Sequence, residues 1–321
     1  MENIPRKLIL RNGQSPGDIV MMTAMVRDLH LSHPGKFLTD VRTPCPAIWE
    51  HNPYITRILD TDPAAEIINC EYPLIHTSNQ NIYHFVSGFR GDLQQKLHLP
   101  IQPTVLKGDI HLSENEKQWV SQVQEYTGED TKYWIICSGG KSDFTAKIWN
   151  PHRWQEVVDF FYKKITFVQV GEASHLHPKL ENVIDFRGKT DLRQLIRLVY
   201  NSDGCLGGVS LLMHLCAAVQ TRQGRPKHRP AVIVAGSRES TQWEAYPSMR
   251  YISTCGCLPC APNNGCWRSR VIPLGDGSEQ DKSLCEKPTL SEGGILIPKC
   301  LEMIRPSQVV RYIEQYLEFY A

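Results

Sequence analysis

The sequence predicts an α/β protein made of two doubly wound domains that face each other across a cleft. Three observations lead to it. Short apolar runs of strand length alternate with helically spaced stretches along most of the chain. Two of those runs, Leu8-Ile9-Leu10 and Lys132–Cys137, end in turns that contain glycine and lead toward a helix. The length, 321 residues, is about twice the ~150 of a typical domain.

The first unit opens with Leu8-Ile9-Leu10 as a strand and Arg11 to Asp18 as a turn. Ile19 to Leu29 then has apolar residues at helical spacing. Such a turn aims backbone N–H groups and the positive end of the helix dipole at an anion above the sheet. Its glycine spacing fits neither the dinucleotide fingerprint nor a P-loop. Ser113 precedes Glu116 by three residues, the pattern of a capped helix start, and Gly128 stands where a helix stops. The hinge is therefore expected at 128–132. The second unit runs through a strand at Lys132–Cys137, a helix after Asn150-Pro151 and a strand at Ile165–Val170. A helix follows from Leu192, then Gly204–Gly208, the apolar helix Leu211–Val219 and a buried strand at Ala231–Gly236. From Pro306 to Tyr320 an amphipathic helix places Val309, Val310, Ile313, Tyr316 and Leu317 on one side. The expected divisions are 1–130, 131–254, a cysteine-rich segment at 255–305, and the helix 306–321.

Apolar residues make up 41% of the chain and charged residues 21%, which excludes a disordered or low-complexity protein. Thirty-five Lys and Arg against 34 Asp and Glu leave a charge of +1, with no whole-chain basic field for nucleic acid. The run Arg222, Arg225, Lys227, His228 and Arg229 is expected to be a solvated loop. No apolar run approaches the ~20 residues of a membrane span, and Met1–Lys7 lacks a signal-peptide core, so a cytoplasmic protein is expected.

Of eleven cysteines, Cys45, Cys70, Cys137, Cys205 and Cys216 are scattered in apolar surroundings and read as small buried hydrophobes. The other six are Cys255, Cys257, Cys260, Cys266, Cys285 and Cys300. In a reducing compartment this clustering favours metal ligation over disulfides. The stretch from Pro259 to Pro298 is dense in Gly, Pro, Asn and Ser, has little to bury and needs a tether. Four thiolates would close a structural site. Cys257-Leu258-Pro259-Cys260 is a Cys-x-x-Cys pair with no second such pair after it, so six thiols compete for four positions. Six unligated thiols in a loop are the alternative.

Several segments resemble glycosyltransferase family 9, the bacterial heptosyltransferases that use ADP-heptose. They are Gly17-Asp18-Ile19-Val20, Lys147-Ile148-Trp149-Asn150-Pro151, Gly188-Lys189-Thr190-Asp191-Leu192 and Ser210-Leu211-Leu212-Met213-His214-Leu215-Cys216-Ala217-Ala218. Gly265-Cys266-Trp267, Cys285 and Cys300-Leu301-Glu302-Met303-Ile304 resemble the four-cysteine iron finger of the subgroup that modifies autotransporter proteins. In that resemblance Cys266, Cys285 and Cys300 match best. Cys260 is the first choice for the fourth position and Cys257 the second. The gap from Cys260 to Cys266 is longer than the subgroup's, which leaves both iron and zinc open.

The resemblance implies the GT-B arrangement, two Rossmann-like domains with the acceptor on the first and a nucleotide sugar on the second. It implies transfer of a sugar, a heptose from ADP-heptose, to a hydroxyl of a protein, a glycan or a small molecule. Asp18 would be the general base and Lys147 would hold the donor diphosphate. Gly17, Gly208, Ser210, Met213 and His214 would surround the donor, with Lys141 as a second phosphate contact. Positive side chains and helix amides can serve the departing diphosphate, so metal-independent chemistry is expected. Each role has a plainer counterpart: Asp18 as a helix cap, Lys147 as a solvated lysine, His214 as a structural histidine. His84 toward the acceptor and Glu239 toward the donor are further candidates on polarity alone. Val209 and Leu211 depart from the family's Asp and Gly. That departure favours a rival, a non-catalytic metal-finger protein that binds nucleotide or nucleic acid. A nucleotide-sugar epimerase of the same fold is the other alternative.

Overall fold

A computed structural model of the chain describes residues 4–71, 81, 83–267, 269, 272 and 283–320, so part of the cysteine-rich segment lies outside the described residues. The N-terminal lobe centres on β1 (Arg6–Arg11), which pairs in parallel with β2 (Phe37–Arg42) and β3 (Ala65–Asn69) in the order β2-β1-β3. Helix α1 (Pro16–Ser32) begins with proline in its first turn, where a missing N–H costs nothing. From Ile19 to Leu29 every residue of α1 is buried. Such a helix is a core helix, its buried Arg27 and Asp28 paired with each other, and it packs against both α2 (Phe85–Leu97) and α7 (Leu211–Ala218) of the other lobe. The strands β2 and β3 were not anticipated. Their residues are half-exposed or edge residues, so no continuous apolar run marks them.

Two short helices, α3 (Glu114–Gln118) and α4 (Gln122–Thr127), precede the hinge. Ser113 and Glu116 form the expected capping box, and Gly128 closes α4 in the left-handed conformation at φ 83°. The second lobe holds β4 (Tyr133–Cys137), α5 (Pro151–Phe160), β5 (Thr166–Gln169) and β6 (Ile184–Asp185). It continues with α6 (Leu192–Asn201), β7 (Gly204–Gly208), α7, β8 (Ala231–Gly236), α8 (Thr241–Glu244) and β9 (Met249–Ser253). All six strands are parallel, in the order β6-β5-β4-β7-β8-β9. This is the doubly wound order, and it reverses direction between β4 and β7. The chain ends with a hairpin of β10 (Pro288–Leu290) and β11 (Leu296–Pro298), then α9 (Lys299–Glu302) and α10 (Pro306–Tyr320).

One buried cluster runs through both lobes, joining Leu8 and Leu10 of β1 and the length of α1 to Ile135, Val168, Met213 and Leu215. A second lies on the opposite face of the large sheet, where α5 and α10 cover Trp134, Ile136, Leu206 and Val232. Val309 and Ile313 of α10 are fully buried there, whereas Leu317 is largely exposed at the helix's outer end.

Two expectations are corrected. Cys205 of β7 and Cys216 of α7 are joined in a disulfide, because the helix turns back over its own strand and brings the two positions together. Cys45, Cys70 and Cys137 are the buried free thiols. Arg229 leaves the solvated basic run and is 3% exposed. Its guanidinium donates to the carbonyls of Cys216 in the last turn of α7, of Val219 and Gln220 just beyond it, and of Tyr200 and Ser202 at the end of α6, where helix carbonyls have no intrahelical partner. Among the described residues no helix is long and apolar enough to cross a membrane.

Candidate active site at the seam between the lobes

The reversal between β4 and β7 opens a crevice at the carboxyl ends of these strands, the general ligand position in such sheets. Beyond β4 come the buried Ser138 and then a 3₁₀ turn, Ser142–Lys147. Beyond β7 come Val209 and Ser210, the residue that starts α7. Gly208 lies against the first of these turns: a Cβ there would be in ordinary contact, 3.4 Å, with the carbonyl oxygen of Lys147. The Ser210 side chain lies beside the buried Cys137 thiol at the end of β4.

The other lobe meets this crevice with the first turn of α1. The Ser15 N–H donates to Asp18 Oδ2 at 3.2 Å, so Asp18 does close a capping interaction. Gly17 touches α7 directly: a Cβ on it would stand 2.9 Å from the His214 ring. Lys141, from the second lobe, donates to Ser15 Oγ at 2.9 Å.

Between these turns lies a buried set of charges. Lys147 Nζ is 2.6 Å from Glu239 Oε1, and Arg238 pairs with the same oxygen. Burial alone would raise the Glu239 carboxyl, but Lys147 and Arg238 hold it below its ordinary range. Glu244 goes the other way. Burial and the neighbouring Glu239 charge push it well above the usual carboxylate value, and Asp18 adds to the effect while Lys147 opposes it. Asp18 of one lobe and Lys147 of the other are thus both electrostatic neighbours of Glu244. His214 bonds through Nδ1 to the Tyr246 hydroxyl at 2.8 Å and places Nε2 3.5 Å from Glu244. Burial, helped by His84 and Lys147, lowers its pKa to about 3, so the ring is neutral at pH 7. His84 caps α2, accepting from Val86 N at 3.2 Å, and its ring lies 5.1 Å from that of Tyr246.

The structure therefore brings Gly17, Asp18, Lys147, Ser210 and His214 to one seam, with Gly208 beneath. Met213 is fully buried in the core shared by the lobes. Val209 is also buried in that core, and Leu211 approaches Gly17 across the seam. Glu244 and Tyr246 were not foreseen, and Glu239 was placed near the donor only by its polarity. A polar run, Ser237-Arg238-Glu239-Ser240-Thr241, directly after a wholly apolar strand is the signal that marks this turn.

Four thiols line one enclosed cavity beside this turn: Cys260, Cys266, Cys285 and Cys300, together with Ser237 and Arg238. Burial raises Cys300 to about 11 and also raises Cys260 and Cys285, and the neighbouring thiols push all three in the same direction. Cys257 is exposed and lines a separate depression with Leu258 and Pro259. The thiols are not drawn into a closed tetrahedron. Among the described residues, the one trio of metal-binding side chains with ligand atoms all within 4.8 Å is Glu50, His51 and Glu116. There Arg193 already pairs with Glu116.

Residues 76–223 match the model of glycosyltransferase family 9 (heptosyltransferase). That stretch contains Lys147, Gly208, Ser210, Met213 and His214, and leaves Asp18 and the cysteine-rich segment outside it. No curated protein is matched. Among solved structures, the chain is similar to a family 9 glycosyl transferase from Veillonella parvula at 14% identity and a TM-score of 0.66, covering 98% of both chains. It is similar to the ADP-heptose lipopolysaccharide heptosyltransferase II of E. coli at 16% identity and TM-score 0.57, over 98% of this chain and 100% of that one. It is also similar to TibC of enterotoxigenic E. coli H10407, described as an iron-containing dodecameric glycosyltransferase. That likeness has 15% identity and TM-score 0.67, over 99% of this chain and 77% of TibC. The fold is the GT-B α/β fold of these proteins, and the fold and the sequence match together support glycosyltransferase activity for this chain.

Proposed function

We propose that the chain transfers a sugar, a heptose from ADP-heptose in the first instance, to an acceptor hydroxyl in the cytoplasm. The observation that carries this reading is the meeting of the two lobes where the strand order reverses: Gly17, next to Asp18, stands against the His214 ring, and Lys141, which leads into the turn ending at Lys147, bonds Ser15 at 2.9 Å. Asp18 takes the proton of the attacking hydroxyl. As the new bond to the sugar forms, the bond to the diphosphate breaks. The Lys147 ammonium, the amides that begin α7 and Ser210 receive the charge that develops there. In the state described here Lys147 is held by Glu239, so donor binding exchanges a carboxylate partner for a phosphate. His214, neutral and fixed by Tyr246, shapes the donor side without adding charge. Acceptors of three kinds fit this chemistry: a protein, a glycan or a small molecule.

Cys260, Cys266, Cys285 and Cys300 are the thiols we assign to a structural iron or zinc ion. Four half-buried cysteines lining one small cavity are a soft donor set that suits either metal. Bound there, the ion would serve as a cross-link that ties 260–300 to the Ser237-Arg238 turn.

A donor screen read by mass spectrometry, with ADP-heptose and other nucleotide sugars, tests the reading. The expected result is consumption of ADP-heptose with release of ADP, faster when an acceptor is supplied. The buried Val209 favours a second reading, a nucleotide-binding protein without turnover. Calorimetric binding of ADP-heptose with no product would select it, and isomerisation of the donor without an acceptor would select an epimerase.

A further inference from the structure

The turn that leaves β8 carries three polar side chains whose hydrogen bonds are incomplete. Glu239, Ser240 and Glu244 are 2%, 1% and 4% exposed. Glu239 Oε2, Ser240 Oγ and Glu244 Oε2 have no hydrogen-bond partner among the described residues; the nearest base to Glu244 Oε2 is His214 Nε2 at 3.5 Å. Buried polar atoms are nearly always paired, and these three, which with Trp243 Nε1 make four unpaired atoms within six consecutive positions, call for a ligand. Their position narrows its chemistry. Glu239 holds Lys147, and Glu244 lies near both Lys147 and Asp18. In a transfer from a diphosphate on Lys147 to a hydroxyl facing Asp18, the group between those two points is the sugar ring.

We propose that Glu239, Ser240 and Glu244 form a polyol subsite that binds hydroxyls of the transferred sugar and sets which sugar is accepted. The proposal rests on the sugar-transfer reading above. The three groups suit a ring that both donates and accepts. Glu239 is ionised beside its two cations and accepts. Burial and the Glu239 charge favour the protonated form of Glu244, which both donates and accepts, as does the Ser240 hydroxyl. The N-terminal lobe covers the turn, with the Phe85 ring 5.9 Å from Trp243 and the His84 ring 5.1 Å from Tyr246. A sugar therefore enters as the lobes part, and its hydroxyls fill the vacant bonds as they close.

Calorimetric titration of the full chain with ADP and with ADP-heptose tests this. The wild type should bind ADP-heptose more tightly than ADP. Ser240→Ala and Glu244→Ala should each weaken ADP-heptose binding about tenfold while ADP binding stays within about twofold. Glu244→Gln, which keeps a donor and an acceptor, should retain the wild-type preference. Unchanged ADP-heptose affinity in both alanine variants, or equal losses for the two ligands, would overturn the subsite and leave the donor assignment standing. Equal wild-type affinity for ADP and ADP-heptose would do the same. A wild type that binds neither ligand would instead remove the sugar-transfer reading, and the subsite with it. Thermal melting checks that the variants fold; if Glu244→Ala does not, Ser240→Ala, which deletes a single atom, decides.

Discussion

Asp18 does two jobs that sequence patterns treat as rivals. Its Oδ2 accepts from Ser15 N, and the same carboxylate is near enough to Glu244 to raise it. Replacing Asp18 with Asn keeps a capping oxygen but removes the base proposed above. Steady-state kinetics should show turnover reduced by about 10²-fold or more, with donor affinity by calorimetry little changed. Undiminished turnover would take Asp18 out of the mechanism. Lys147 offers a sharper test because its partner is buried. Replacing it with Ala should weaken ADP binding by roughly tenfold to a hundredfold, as expected for a charge-assisted bond. It should also lower the melting temperature, since Glu239 then keeps only Arg238. Adding Glu239→Gln should recover part of that melting loss and none of the binding. Recovery of both would mean that Lys147 serves the fold alone.

At the scale of elements, the contacts across the hinge are held by α3, α4 and α6. Arg193 of α6 grips Glu116 of α3, with its Nη2 2.7 Å from Oε2, and Gln122 donates to the Gln194 carbonyl at 2.6 Å. Burial would raise Glu116, but Arg193 and the Ser113 donors bring it down to about 2. A carboxyl lowered on folding contributes stability above its unfolded pKa, near ~4.3, and loses that contribution as pH falls toward the folded value. The melting temperature should therefore drop between about pH 5 and pH 2. Glu116→Gln should lower the melting temperature at pH 7 and flatten that acid slope. An acid profile identical to the wild type would show that the Glu116–Arg193 pair adds nothing to the join between the lobes.

For the molecule as a whole, the cysteine-rich segment is joined to the turn that follows β8. Cys266 N donates to Ser237 O at 2.9 Å and Trp267 N to Arg238 O at 2.8 Å. Gly265, at φ 78°, permits that approach, because a Cβ would lie 2.7 Å from the Arg238 carbonyl. Arg238 in turn stacks on Trp267 and pairs with Glu239. A metal among the four thiols would then steady the partner of Lys147 from outside the seam. Elemental analysis should find about one Fe or Zn per chain. Cys285→Ser should lower both the metal content and the melting temperature, whereas Cys257→Ser should change neither. A well-folded, metal-free protein would end the assignment.

Much of this was legible in the residues themselves. The runs at 8–10, 133–137 and 231–236, the helix that opens at Pro16, the stop at Gly128 and the start at Pro306 follow from local periodicity and caps, which depend on neighbours a few positions apart. The same locality explains why α1 and α7 were found while the half-exposed strands β2 and β3 were not. Partners far apart in sequence were decided only by packing. Arg229 is buried because two helix ends converge on it. Cys205 reaches Cys216 because α7 lies over β7, and Cys260 rather than Cys257 faces the other thiols because of how one loop is folded. Glu239 meets Lys147 92 positions away because β8 lies beside β7 in the sheet. Composition and spacing state which groups are available for chemistry, whereas the distance between two charges, and whether water screens them, exists only once the strands have been laid in order.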